Sequence, residues 1–396
     1  MSPLLRSVYS FLLILSIALP SLAFSSNRHP IILIHGFIGW GRDEMRDYNY
    51  WGGHTDLQQV LIDEGFEVYT VSVGPISSNW DRAIEAYYQI KGGKVDYGIS
   101  HSEEYGLIRS PEGKVYDGLF PQWDADHPVH IIGHSMGGQT TRMLEYLLKT
   151  TFPDEKSSLL TSSDSGWIKS NTTISTPHNG TTLMPIVYNF FPFVQKMVVY
   201  LGGMQEDSFV EKYYDFDLEQ WGLSRDEDES IKQYLRKIKA SKLSESKNFC
   251  AWDLSLEGAL SFNDLSETDS STYYFSYATY ATQKKENSDY HRPDEMMNWR
   301  LWTSGYMMGK YLTSEIDWYE NDGVVNTVSM WGPVGSELSA HVIEEYSGVP
   351  APGVWQKMGK LHYDHEEVIG HKLGKFDPTD MKNLFITHCQ LLYSLN

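Results

Sequence analysis

Apolar residues in this chain fall into short blocks whose spacing switches between a strand-like and a helix-like repeat. Ile31-Ile32-Leu33-Ile34 is a continuous apolar run, the pattern of a parallel strand buried on both faces. Residues 68–73 repeat that character after Gly65, and residues 81–90 read as a helix. Pro128-Val129-His130-Ile131-Ile132 forms a further short strand. Downstream, Met143, Leu144, Leu147 and Leu148 recur at helical spacing across residues 139–149. Residues 166–174 and 272–279 read as strands, residues 215–247 as charged helix and residues 380–395 as a closing helix. Strands alternating with helices predict an α/β chain with a mostly parallel sheet covered on both sides. No internal repeat or low-complexity linker interrupts residues 30–396, so one domain with insertions is expected. Residues 91–126, rich in Gly, His, Tyr and charge, read as a surface insertion.

Between the fourth block and its helix stands Gly133-His134-Ser135-Met136-Gly137. A chain with 32 glycines in 396 residues meets G-x-S-x-G by chance, so the flanking context carries the weight. Strand, tight turn and helix in succession form a nucleophile elbow, which holds a serine hydroxyl at the top of a sheet beside a helix N-terminus.

Charge and composition narrow the partners. The formal net charge is −20 and no Lys/Arg stripe occurs, which disfavours nucleic acid and makes anionic membrane surfaces poor electrostatic partners, while an uncharged lipid interface stays open. Arg6, the apolar residues 11–19, Pro20 and Ser21-Leu22-Ala23 match a secretory signal over residues 1–23, and no later segment resembles a membrane span. A secreted, extracellular protein is therefore expected, without stable membrane insertion. Cys250 and Cys389 are the two cysteines; one disulfide is possible between them, but two residues make no framework.

Further motifs occur in a fixed order around the elbow: His35-Gly36-Phe37-Ile38-Gly39-Trp40-Gly41, Ser77-Ser78-Asn79-Trp80-Asp81, Thr176-Pro177-His178, Gln220-Trp221-Gly222-Leu223, Asn321-Asp322-Gly323-Val324-Val325 and Asp364-His365-Glu366-Glu367. The set resembles the secreted lipases of the thermophilic Bacillus/Geobacillus and staphylococcal type, from about residue 30 to the end. The resemblance implies the α/β-hydrolase fold and hydrolysis of triacylglycerols and shorter esters at lipid–water interfaces, through an acyl-enzyme intermediate.

Ester hydrolysis needs an activated hydroxyl, a base that returns its proton, and donors for the oxyanion. Ser135 is the nucleophile by its position, and the fold orders the remaining partners as acid and then histidine. Asp322 and His365 meet that order and match the family motifs, with Asp317, His362 and His371 as neighbouring alternatives. The backbone N–H groups of Phe37 and Met136 would form the oxyanion hole. The apolar residues 181–202 follow Thr176-Pro177-His178, where the family carries a lid, with a core helix as the alternative.

The chemistry requires no cofactor. The thermophilic members hold a structural zinc, and three of its positions match Asp81, His101 and Asp253, while Leu107 stands where the family has a second histidine. Tetrahedral zinc takes four donors. Glu367 matches a calcium ligand, but Lys372 replaces its partner aspartate, and a cation there disfavours Ca²⁺. Two other functions remain open at this level: a carboxylesterase or phospholipase of short or polar esters, and a catalytically inactive lipid-binding protein on the same fold.

Overall fold

The computed structural model describes residues 27–42, 44–186, 194, 214–226, 228–311, 316–336, 341–371 and 378–396. Residues 1–23, expected as a secretory signal, and most of residues 181–202, expected as a lid, lie outside the described residues.

Seven parallel strands form the central sheet: β1 (Ile31–Ile34), β2 (Val68–Val71), β3 (Val129–His134), β4 (Ile168–Ile174), β5 (Tyr273–Thr279), β6 (Ile343–Glu345) and β7 (Trp355–Leu361). Their order is β6-β7-β5-β4-β3-β1-β2. β1 pairs with β2 through Ile31 opposite Val68 and with β3 through Ile31 opposite His130. Parallel neighbours require crossovers, here supplied by helices α1 (Leu57–Asp63), α2 (Asn79–Lys91), α3 (Met136–Lys149), α4 (Ile231–Lys239) and α5 (Trp302–Met308), among shorter turns; helix α6 (Pro378–Tyr393) follows the last strand and closes the chain.

The continuous apolar run of β1 is explained by a core on each face. Ile31 and Leu33 pack with Leu57 and Leu61 of α1 and Phe385 and Leu392 of α6. Ile32 and Ile34 point the other way, toward Ile84 and Ile90 of α2 and Leu144 and Leu147 of α3. The alternation of strand side chains thus feeds two cores from one tetrapeptide.

Several expected elements differ in extent. Of residues 215–247, only Ile231–Lys239 forms an α-helix, started by a capping box of Ser230 and Gln233; Glu219–Trp221 and Lys242–Glu245 are single 3-10 turns. Residues 91–126 are more than a surface insertion. A short hairpin of Gly93–Lys94 with Val115–Tyr116 and a helix at Ile99–Tyr105 bring Val95, Tyr97, Phe120 and Trp123 into the core beside α2. Cys250 and Cys389 are both buried and unpaired, so the possible disulfide does not form. Among the described residues, no helix is long and apolar enough to cross a membrane.

Candidate active site

β3 ends at His134 and α3 begins at Met136, so Ser135 alone makes the turn. Its φ of 56° and ψ of −131° lie outside the ordinary L-residue regions. Such strain is stored where the surroundings over-determine the backbone. Here Ser135 N–H donates to Ile174 O at 2.8 Å and Ser135 O accepts from Gly138 N at 3.0 Å. Glycine is required at position 36, because a Cβ there would sit 2.6 Å from Ser135 Cβ. The loop leaving β1 therefore presses directly on Ser135.

Two loops at the same end of the sheet bring in the partners. His365 Nε2 lies 2.9 Å from Ser135 Oγ, and His365 Nδ1 lies 2.7 Å from Asp322 Oδ2. All three residues are buried. The carboxylate at Nδ1 calls for N–H on that nitrogen, which leaves Nε2 to accept the serine proton. Asp322 is held by four donors besides the imidazole ring. Its Oδ1 accepts from Val324 N at 3.0 Å and Val325 N at 2.8 Å. Thr279 Oγ1 donates to Oδ2 at 2.8 Å, and the Asp322 carbonyl accepts from His365 N at 3.1 Å. Burial lowers the His365 pKa, but the charge and hydrogen bond of Asp322, helped by Glu366 and Asp364, outweigh it and raise the value above 6.5.

The alternatives are placed elsewhere. His362 bonds Asp294 at 2.9 Å and stacks on Tyr280. His371 meets Tyr50 O at 2.8 Å and Glu366 at 3.2 Å. Asp317 is exposed in the turn Ile316–Tyr319.

Met136 opens α3, where a helix leaves its first N–H groups without intrahelical acceptors. Phe37 follows Gly36 on the loop that abuts Ser135. That loop is anchored by groups no motif reading found. Gly36 N–H donates to the Tyr50 hydroxyl at 2.8 Å, which bonds His134 Nδ1 at 2.6 Å. His134 Nε2 lies 3.0 Å from the carbonyl of His365. Burial pushes the His134 pKa well below 6.5, so the ring is neutral: Nε2–H donates to His365 and Nδ1 accepts from Tyr50. Arg82 adds hydrogen bonds to His35 O at 2.5 Å and Gly74 O at 2.9 Å. His134 stands inside the G-x-S-x-G pentapeptide, which was the available signal; Tyr50 and Arg82 carried none.

The zinc positions are only partly assembled. His101 Nε2 reaches Asp81 Oδ1 at 2.9 Å while stacking on Trp80. The Asp81 carboxylate also accepts from the amide nitrogens of Gln220 at 3.0 Å and Asn248 at 3.2 Å. Asp253 Oδ2 accepts from Asn79 N at 2.6 Å, and burial, with the neighbouring Asp81 charge, raises its pKa to about 7. Leu107 contributes no donor. Among the described residues, no three His, Cys, Asp or Glu side chains are grouped to hold a metal ion, and this amide-saturated set does not fit tetrahedral zinc. Glu367 is buried beside Asp364, whose Oδ1 accepts from Glu367 N at 2.9 Å. Lys372 lies outside the described residues. The lid candidate is described at Thr181–Ile186 and Val194, and its start is tied to the Asp322 loop: Thr181 Oγ1 donates to Val324 O at 2.7 Å and Thr182 N to Asn326 Oδ1 at 2.9 Å.

The sequence model of the family described as "lipase-like, C-terminal domain" matches residues 27–389. The chain belongs to this family. It is 35% identical over 358 residues to Lipase 1 of Staphylococcus aureus, covering 87% of this chain and 51% of that protein. The chain thus spans about half the length of the curated relatives it matches. Among solved structures, EstA from Clostridium botulinum superposes with a TM-score of 0.86 at 35% identity, covering 94% of this chain and 88% of that one. Lipase 1 from Pelosinus fermentans gives 0.79 at 39% identity, covering 90% and 97%. The resemblance to staphylococcal lipases holds, and the fold is that of the α/β-hydrolases.

Proposed function

We propose that this family member is a serine-dependent carboxylic ester hydrolase that acts as a triacylglycerol lipase. The hydrogen-bonded series Ser135 Oγ, His365 and Asp322 at the strand ends is the observation that supports it. Membership of the lipase-like family supports lipid esters as the substrate class.

In this reading Ser135 Oγ attacks the ester carbonyl carbon while His365 Nε2 takes the hydroxyl proton. The carbonyl electron pair moves onto oxygen, where the N–H groups of Phe37 and Met136 receive it. Each such donor is worth roughly 2.7–4 kcal/mol in the transition state. Collapse expels the alkoxide, which leaves as the alcohol with the proton from His365, and an acyl group remains on Ser135. Water then attacks the acyl carbon with His365 again as base. The carboxylic acid departs and the serine is restored. Apart from the substrate and the water, the reacting groups of this cycle come from the chain. Export, directed by residues 1–23, belongs to the same proposal.

The test is hydrolysis of emulsified long-chain triacylglycerol and of a soluble short-chain ester by the wild type and by Ser135→Ala. Cleavage of both by the wild type, with the emulsion favoured, and of neither by the variant is expected. Cleavage of the soluble ester alone would replace the lipase reading with a carboxylesterase. Cleavage of neither by a folded wild type would leave a lipid-binding protein.

A further inference from the structure

Among the described residues, a group of exposed aromatic side chains stands on α5 and the turn before it. Trp299 is 71% exposed, Trp302 51%, Tyr306 47% and Met307 44%. Trp299 precedes the helix by one turn, with Trp302 N–H donating to its carbonyl at 3.4 Å, so positions 299, 302 and 306 follow helical spacing along one outward face. Single exposed apolar residues are ordinary, but a contiguous set marks a surface that meets something.

The opposite face of the same helix is fastened to both loops of the candidate triad. Ser304 Oγ donates to Gly323 O at 2.6 Å and Asn321 Nδ2 to Gly305 O at 3.2 Å, on either side of Asp322. Just before the helix, Asn298 N–H donates to Asp364 Oδ2 at 2.8 Å, one residue from His365. Leu301 and Met308 are buried beneath. Whatever docks on the aromatic face is thereby held beside the loops that carry Asp322 and His365.

Charge on this face departs from the rest of the chain. The protein carries −20 overall, yet residues 296–311 contain Arg300 and Lys310 and no Asp or Glu; on the depression beside Trp302, Tyr306 and Met307 the exposed Glu295 is matched by Arg292, and Asp294 is buried against His362. The Arg300 guanidinium lies 5.2 Å from the Trp299 ring and the Lys310 ammonium 3.8 Å from the Tyr306 ring. Indole and phenol rings with adjacent cations suit the boundary between hydrocarbon and water, where the ring enters and the charged head stays wet.

We infer that the face formed by Trp299, Trp302, Tyr306 and Met307, with Arg300 and Lys310, is the surface by which the protein seats on its substrate phase, a triacylglycerol droplet whose surface carries fatty carboxylates. The inference rests on the proposed lipase function and adds where the lipid phase is met. Hydrolysis itself deposits carboxylates at the droplet surface. A molecule of charge −20 is repelled by that surface except through its locally cationic face, so the charge distribution orients the active-site end toward the lipid.

The experiment is flotation of the full chain with triolein droplets, neutral or doped with oleate, which reads docking without turnover. Wild type is compared with Trp299→Ser/Tyr306→Ser and with Arg300→Glu/Lys310→Glu, each checked by thermal melting. A loss of at least tenfold in droplet partitioning is expected for the aromatic pair on both droplets, with kcat/KM on a dissolved short-chain ester within twofold of wild type. The charge pair is expected to lose partitioning on oleate-doped droplets only. Unchanged flotation of the aromatic pair overturns the inference, as does an equal loss on the dissolved ester, which makes the face part of the catalytic scaffold. A concentration-dependent dimer abolished by Trp299→Ser/Tyr306→Ser, with flotation unchanged, assigns the face to a second copy instead. A wild type that floats but cleaves neither ester refutes the lipase function and leaves the docking surface standing.

Discussion

His365 is joined to Asp322 twice: its Nδ1 donates to Oδ2 at 2.7 Å, and its backbone N–H donates to the Asp322 carbonyl at 3.1 Å. The backbone link survives any change to the carboxylate, so the position of the histidine loop and the state of its ring are separable. Asp322→Asn should keep the fold, because the amide oxygen can still accept from Val324 and Val325. It presents no carboxylate to Nδ1–H and favours the wrong tautomer. A fall in kcat of about 10⁴-fold is expected, the scale of that change in serine triads, with melting temperature little altered at alkaline pH, where the histidine is neutral in both proteins. Steady-state kinetics on a soluble ester and a thermal melt check both halves.

The same pair sets the pH response. Because the His365 pKa is raised above 6.5, the base is protonated and inactive at mildly acidic pH. kcat/KM should fall as pH drops through a value above 6.5. Stability runs the other way. A histidine whose folded pKa is raised contributes stability that is fully present below its unfolded value and lost as pH rises through the folded value. The stability advantage of wild type over Asp322→Asn should therefore be larger at pH 6 than at pH 9. Denaturant titrations at the two pH values measure it, and an advantage that grows with pH would contradict the assignment.

Tyr50 ties the oxyanion-side loop to the elbow and, through His134, to the carbonyl of His365. Tyr50→Phe removes one hydroxyl and strands Gly36 N–H and His134 Nδ1 in the core. A buried group left without its partner costs about 1–3 kcal/mol. Unfolding free energy should drop by that amount, and kcat should drop about tenfold, equivalent to 1.4 kcal/mol, while KM for a soluble ester changes little. Retention of full kcat would show that the network does not position the reacting groups.

The buried cluster around Asp81 is satisfied by protein donors. Treatment with EDTA should leave the melting temperature unchanged, whereas Asn248→Ala should lower it by removing the amide that bonds both Asp81 oxygens at 3.2 and 3.3 Å. Metal analysis of the purified protein provides an independent reading; stoichiometric zinc with a chelator-sensitive melt would overturn this expectation.

Cys250 and Cys389 lie buried and unpaired on different elements of one core. Burial raises both thiols, Cys389 to about 12, so neither is a ready thiolate. A thiol reagent should titrate none in the native protein and both in denaturant, and reductant should leave stability unchanged.

Local patterns were enough where the determinant is itself local. The run Ile31–Ile34, the helix beginning near Asp81 and the strand–turn–helix around Ser135 each follow from side-chain periodicity and a tight turn, which neighbouring residues alone impose. The order of acid and histidine followed from the fold implied by those elements. Strand β7, Trp355–Leu361, and the polar edge strand β6, Ile343–Glu345, carry no alternating signature; β7 exists because β5 offers it backbone partners, and β6 because β7 does. Tertiary structure alone decided which imidazole meets Ser135 Oγ, since His362, His365 and His371 share one short stretch and differ only in what chain closure places before them. It likewise decided that Asp81 faces amides from residues 220 and 248, and that Tyr50 reaches Gly36 and His134. The physical reason is range: periodicity is set by neighbours a few residues apart, whereas a hydrogen bond between residues 230 positions apart exists only after the sheet has brought its strand ends together.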